Sequence, residues 1–551
     1  MRRFILAAFV GVCLPGSVPA QDRPAPTHAD TLRGSWTTPG RNWWDVTFYD
    51  LRVTINPADS TIRGYNRISY KVLRPGREMQ IDLMEPLVVD SVMQGGRKVR
   101  FRKDGNAYFV SPTASPGRRN PLGSYEITVY YHGKPHVAVR PPWQGGFSWT
   151  ADSLGRHWVV TTDQGMGASV WWPNKDTQAD EPDSQRVALT VPDSLMNISN
   201  GRLRSVTSRD GWSTWEWFAT NPINNYAIAV AMGNYAHFGD TYHGENGPLT
   251  IDYYPLDYHL AAARRQFPQT ITMLACFEKW FGPYPFYEDG FKLIEVPNNG
   301  MEHQSAIAYG NRYANGYQGR DGSGTGLGMK WDFIIVHEAA HEWFGNNITT
   351  KDLADMWVHE SFANYSENLY TECLFGKEDG ARYVMGTRQL IGNRVPIIPA
   401  HYGVNAQGSG DMYPKGGNML HTIRQLVNDD DKWRSILRGL NQTFRHQVVM
   451  GSQVEEYISR QSGMELSRVF DQYLRDVRIP ELEYRVSGAQ LSYRWVNVVE
   501  GFNMPVEIRA GQGASTRIQP TLQWQTITLA ADSGPIEVDP DYYVTARVVT
   551  N

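Results

Sequence analysis

The 551 residues are 41% apolar, 12% aromatic and 20% charged, which supplies several buried cores and excludes an intrinsically disordered chain. Net charge is −4, or −6 without Arg2 and Arg3; nucleic acid is a poor partner for such a balance, because phosphate contact needs a basic face. The cysteines, Cys13, Cys276 and Cys373, are too few for a disulfide framework and lack the spacing of a thiolate metal site.

Taken from the start, residues 1–20 read as a secretory signal: Arg2 and Arg3, an apolar run from Phe4 to Leu14, and the small-residue exit Val18-Pro19-Ala20. The run is too short to span a bilayer, and no later segment is long and apolar enough, so the expectation is an exported protein, secreted or periplasmic, without a stable membrane span. Cys13 would leave with the signal, and Cys276 and Cys373 read as structural rather than catalytic; their pairing is not legible. Residues 21–42, rich in Pro, Thr, Gly and Asp, suit a flexible leader. From 43 to 240 the apolar period is two, as in Leu51, Val53, Ile55 and again Tyr125, Ile127, Val129, Tyr131, which predicts an antiparallel β domain. Between 241 and 478 the period becomes helical, in His259 to Phe281, Trp331 to Trp343 and Val358 to Leu374, with the glycine-rich loop Asn311 to Gly328 ahead of the second. Alternation returns over 479–551, as expected of a small β sandwich. The fold class is thus multidomain α+β.

The segment Ile334 to Asn347 reads IIVHEAAHEWFGNN. On a helix His337 and His341 lie one turn apart on one face, so two imidazoles can reach one ion, and Glu338 is rotated about 100° away, beside it. Nineteen residues after His341 comes Glu360, in WVHESFANYSE, which can fold back as a third ligand. Two His and a Glu with one open position form a catalytic zinc arrangement, whereas a structural site is closed by four protein ligands. The competing reading is an amphipathic helix with two solvated histidines; the flanking Ile334, Ile335, Ala339 and Ala340 argue against it, since unpaired polar groups are costly in an apolar run. His359 points elsewhere and reads as a packing or supporting residue. Asn364 and Glu367, at i+4 and i+7 from Glu360, can receive the free N–H of a ligating imidazole or can be solvated surface residues.

With these residues in place, the sequence resembles a zinc aminopeptidase of the aminopeptidase N family, the gluzincin group, over roughly residues 45–480. Asn299-Gly300-Met301-Glu302-His303-Gln304 is similar to the family's G-x-M-E-N signature, with His303 where many members carry Asn. Tyr413-Pro414-Lys415-Gly416 is similar to its Y-x-K-G segment, and Thr162-Asp163-Gln164-Gly165 to a degraded form of the segment that helps hold the substrate amine. The resemblance implies a saddle-shaped N-terminal β domain, a thermolysin-like mainly helical catalytic domain and a C-terminal β sandwich. It implies one zinc on His337, His341 and Glu360, with Glu338 as general base and Tyr413 stabilising the oxyanion. Glu302, Gln164, Gly300 and Met301 would bind peptides with a free N-terminal amine. With the chain ending at Asn551, the C-terminal helical domain of larger members has no counterpart, and a more open cleft, or one closed by another subunit, is expected. The rival readings are a zinc endopeptidase or epoxide hydrolase on the same ligands, and a secreted peptide-binding protein without catalysis.

Overall fold

The computed structural model describes residues 25–112, 123–511, 513–529 and 535–550; the expected signal lies outside them. The first ordered element falls inside the expected flexible leader: a short helix α1, His28–Gly34. A capping box starts it, with Asp30 N–H bonded to Thr27 Oγ1 and Thr27 N–H bonded to the Asp30 carboxylate. The leader is therefore structured from this point, with the T-x-x-D spacing marking only where the helix starts.

The N-terminal domain centres on an eight-stranded sheet in the order Arg202–Arg209, Trp212–Ala219, Ser184–Pro192, Trp44–Asn56, Thr61–Val72, Ser124–Gly133, Val88–Gln94, Arg97–Val99. Pairing is antiparallel except between Trp44–Asn56 and Ser184–Pro192, which run parallel with Leu51 opposite Val187. Period two specifies which face is buried, not the direction of the neighbour, so this pairing was invisible in the sequence. A smaller sheet contains Gly146–Ala151 and His157–Thr162, and the latter strand ends just before Gln164.

The catalytic domain opens with a mixed sheet, Phe238–Gly244, Gly247–Tyr254, Phe291–Glu295, Ile307–Tyr309. Helices α2 Gln269–Phe281 and α3 Phe333–Ala340 pack against it, α4 Trp357–Phe375 packs on both of them, and α5 Pro414–Val427 packs on α4. Cys276 and Cys373 form a disulfide joining α2 to α4, with Cα atoms 6.1 Å apart. Closing a loop of this size contributes about 4–5 kcal/mol in the chain-entropy view. Gly416 and Gly417 let α5 approach α4 closely: a Cβ on Gly416 would fall 1.9 Å from Ser361 Oγ, and one on Gly417 would fall 2.3 Å from Asn364 Oδ1. That contact fixes Tyr413, at the head of α5, relative to Glu360 on α4. The C-terminal module has two sheets, one containing Glu481–Ser487 and Gln490–Val496, the other Val506–Ala510, and shares one continuous apolar core with the catalytic domain. No helix among the described residues is long and apolar enough to cross a membrane.

Candidate metal and peptide site

Helix α3 begins at Asp332, whose carboxylate accepts the N–H groups of Ile334 and Ile335 and is itself held by Gln266, Tyr309 and Asn311. One turn later His337, and two turns later His341, project from the same face. Immediately after His341 the backbone leaves the α-helical path, and Gly345, at φ +135°, makes a turn that a side chain would strain. That turn delivers the Phe344 carbonyl to His341 Nδ1 at 3.0 Å. His337 Nδ1 lies 2.9 Å from Glu367 Oε1, and Glu367 also accepts from Asn364 Nδ2 and the Tyr383 hydroxyl. Both imidazoles are thereby oriented with Nε2 free to face a common point, Glu367 receiving the N–H directly and Asn364 steadying Glu367.

Glu360 from α4 faces that point. Its Oε2 is 3.6 Å from His337 Nε2 and 3.4 Å from His341 Nε2, and is buried with no hydrogen-bond partner. Donor atoms around a four-coordinate zinc, with bonds of about 2.0–2.1 Å, stand roughly 3.3 Å apart; the residues present fit that ion. The electrostatics agree. Burial alone would push His337 down, but Glu360 and Glu367 outweigh it and hold it well above its ordinary value. His341, against the same burial, is raised to about 9 chiefly by Glu360. Burial would raise Glu360, yet His341 and His337 pull it far below the usual carboxylate range. No lysine or arginine is among the residues lining the cavity, so its charge is that of a cation receptor.

The nine residues assigned from the sequence to metal binding, catalysis or substrate binding all line this one cavity of about 320 Å³. Burial pushes Glu338 up to about 7, with His337 opposing and Glu302 reinforcing the shift. Gly300, at φ +129°, passes so close that a Cβ would meet Glu338 Oε1 at 2.8 Å, which explains the glycine there. Met301 pairs by backbone with Ala308, so the segment carrying Glu302 runs beside the outer strand of the catalytic sheet. Glu302 is buried; its Oε1 accepts from Gln164 Nε2 and from the Tyr226 hydroxyl at 3.3 Å. Gln164 also reaches Glu360 Oε1 at 3.3 Å. Burial first, then the nearby Glu360 and Glu302 charges, raise the Tyr413 hydroxyl well above its usual range, keeping it a donor; the Tyr413 ring stacks near His337. His359 is turned away, its Nε2 accepting the Thr350 N–H at 2.9 Å.

Sequence reasoning missed Tyr226, which sits in NNYAIA without any pattern to mark it, and the aromatic wall of Trp143, Tyr317 and Phe333. Tyr317 comes from the glycine-rich loop, which was the one signal available.

Two imidazoles from one helix and a carboxylate from the next, enclosed between a β domain and a helical domain, define a gluzincin-type metallopeptidase architecture. Residues 266–473 match the peptidase family M1 domain. The chain is 23% identical to the aminopeptidase N of Lactobacillus helveticus over 472 residues, 78% of this chain and 51% of that protein. It is likewise 23% identical to a leucyl aminopeptidase of Saccharolobus solfataricus over 320 residues, 56% of this chain and 40% of that one. The chain spans about half the length of these curated relatives. An M1 zinc metallopeptidase variant from Deinococcus radiodurans, solved with a Tyr-Ser-Ala substrate, shares the fold at a TM-score of 0.65 and 21% identity, covering 78% of this chain and 94% of that chain.

Proposed function

We propose that the protein is an exported zinc aminopeptidase, with one zinc per chain, that removes the N-terminal residue from peptides bearing a free amine. The observation that carries this reading is a second buried carboxylate beside the ligand set: Glu302, Glu338 and His341 offer atoms within 4.8 Å of one another. An endopeptidase has no use for an ammonium receptor there. Export is supported by the sequence of residues 1–20 and by the Cys276–Cys373 bridge, a bond that persists in oxidising compartments.

Zinc held by His337, His341 and Glu360 would supply Lewis acidity, polarising a carbonyl and lowering the pKa of water toward about 7. The chain's own groups do the rest. Glu302, oriented by Gln164 and Tyr226, receives the substrate's ammonium through charge-assisted hydrogen bonds, and so fixes the scissile bond one residue in. Glu338 takes the proton of the attacking water and passes it to the leaving amine. The Tyr413 hydroxyl donates to the carbonyl oxygen as charge develops on it, a contribution of about 3 kcal/mol for a single donor of this kind. The test is an aminoacyl chromogenic substrate against its N-acetylated form. Cleavage of the free amine alone is expected; equal cleavage of both would remove the aminopeptidase assignment.

A further inference from the structure

The N-terminal segment has a structural part in the cavity that its composition does not suggest. Helix α1 lies on the first domain, where Gln80 Nε2 donates to Leu32 O at 2.9 Å. Its end is clamped by buried Arg41, which donates to Arg33 O, Ser35 O and, at 2.6 Å, Asp82 Oδ2. From that anchorage two neighbouring residues reach outward. Gly34 sits flat against the catalytic-domain loop before Tyr413: a Cβ there would fall 2.1 Å from Asn405 N. Arg33 donates through Nη2 to the carbonyl of Gly165, at 3.4 Å. Asn405 Nδ2 donates to the same carbonyl, at 3.1 Å. The Asn405 loop is fastened to its own domain by Gly403 N–H to Asp352 and Tyr402 hydroxyl to Asp355. Two chain segments thus converge on one acceptor, directly after Gln164.

That acceptor needs outside support. Gly165 and Gly167 both have positive φ, 72° and 85°, and a turn with two glycines has the largest backbone freedom available to the chain. A second cavity of about 210 Å³ adjoins the main one, with Gln164, Gly165, Asn405 and Tyr413 among its walls. Movement of the Gly165 turn would carry Gln164 away from Glu302 and reshape that wall. We propose that residues 25–41 form a strap, and that Arg33 is a positioning residue which, through the Gly165 carbonyl, holds Gln164 in place for the substrate's ammonium group.

The inference rests on the aminopeptidase reading above, and its test separates the two. In the full zinc-loaded chain, Arg33→Ala should raise KM for a free-amine substrate about fivefold, the size of one lost hydrogen bond, with kcat changed less than about twofold. Calorimetric affinity for free L-tryptophan should fall by the same factor, and Arg33→Lys should recover most of both. Asn405→Ala should act alike, and the double variant should lose less than the sum of the singles, because both donors serve one carbonyl. An unchanged KM and L-tryptophan affinity, a loss confined to kcat, or strictly additive singles would overturn the strap. A wild-type chain that binds L-tryptophan more tightly than Arg33→Ala yet leaves free-amine substrates intact would instead overturn the aminopeptidase reading while sustaining the strap.

Discussion

The two ends of the cavity are built on different principles. At the proposed metal end, the three candidate ligands come from two consecutive helices of one domain, and each is oriented by partners within that domain: Glu367, Phe344 and the α4–α5 contact through Gly416. At the amine end, Glu302 belongs to the catalytic domain while Gln164 and Tyr226 belong to the β domain, 138 and 76 residues away. The metal end is thus rigid by local construction, whereas the amine end is only as precise as the seam between domains. Substitutions at the first should alter chemistry, and substitutions at the second should alter recognition.

The largest effect is expected at the metal end. Glu338→Gln should retain zinc and lose on the order of a thousandfold or more in kcat, as for removal of a general base; turnover kept within tenfold of wild type would eliminate that role. Tyr413→Phe should lower kcat by about a hundredfold with a smaller change in KM, and an unaltered kcat would take Tyr413 out of the reaction. Across the cavity, Glu302→Ala should cost about a hundredfold in kcat/KM for free-amine substrates with zinc content intact. Loss of metal in equal measure would show that the two ends are not separable.

The smallest effect concerns the seam itself. Glu181, on the β domain, accepts from Asn224 Nδ2 at 3.3 Å, and burial pushes it up to about 7, partly offset by hydrogen bonds from Thr349 and Asn224. Its folded value lies above the unfolded value of about 4.3. Its stabilising contribution is therefore complete at low pH and is lost as pH rises through about 7. Glu181→Gln, which stays neutral, should melt about 1–2 °C above wild type at pH 8 and together with it at pH 4; a gap of the same size at both pH values would mean that Glu181 does not titrate in this way.

The same contrast governs what was legible in the sequence. His337, Glu338 and His341 were readable because helix periodicity alone puts them on adjoining faces, and Glu360 because it opens the next helix. The supporting role of Glu367 followed from i+7 spacing but needed the packing of α4 on α3 to be decided. Glu302, Gln164 and Tyr413 came from resemblance rather than spacing, since no local period links residues from separate segments of the chain. Tyr226 had no signal of either kind. In the fold, the changes of period found the three regions, whereas the parallel pairing of Trp44–Asn56 with Ser184–Pro192 and the order in α1 depend on partners distant in the chain.

The most direct test is diffraction at the zinc absorption edge from crystals of the full chain grown with zinc. One anomalous peak per chain is expected, bonded to His337 Nε2, His341 Nε2 and Glu360, with Glu302 left free to face a bound amino acid. A peak elsewhere, or coordination that leaves Glu360 out, would contradict the proposed centre.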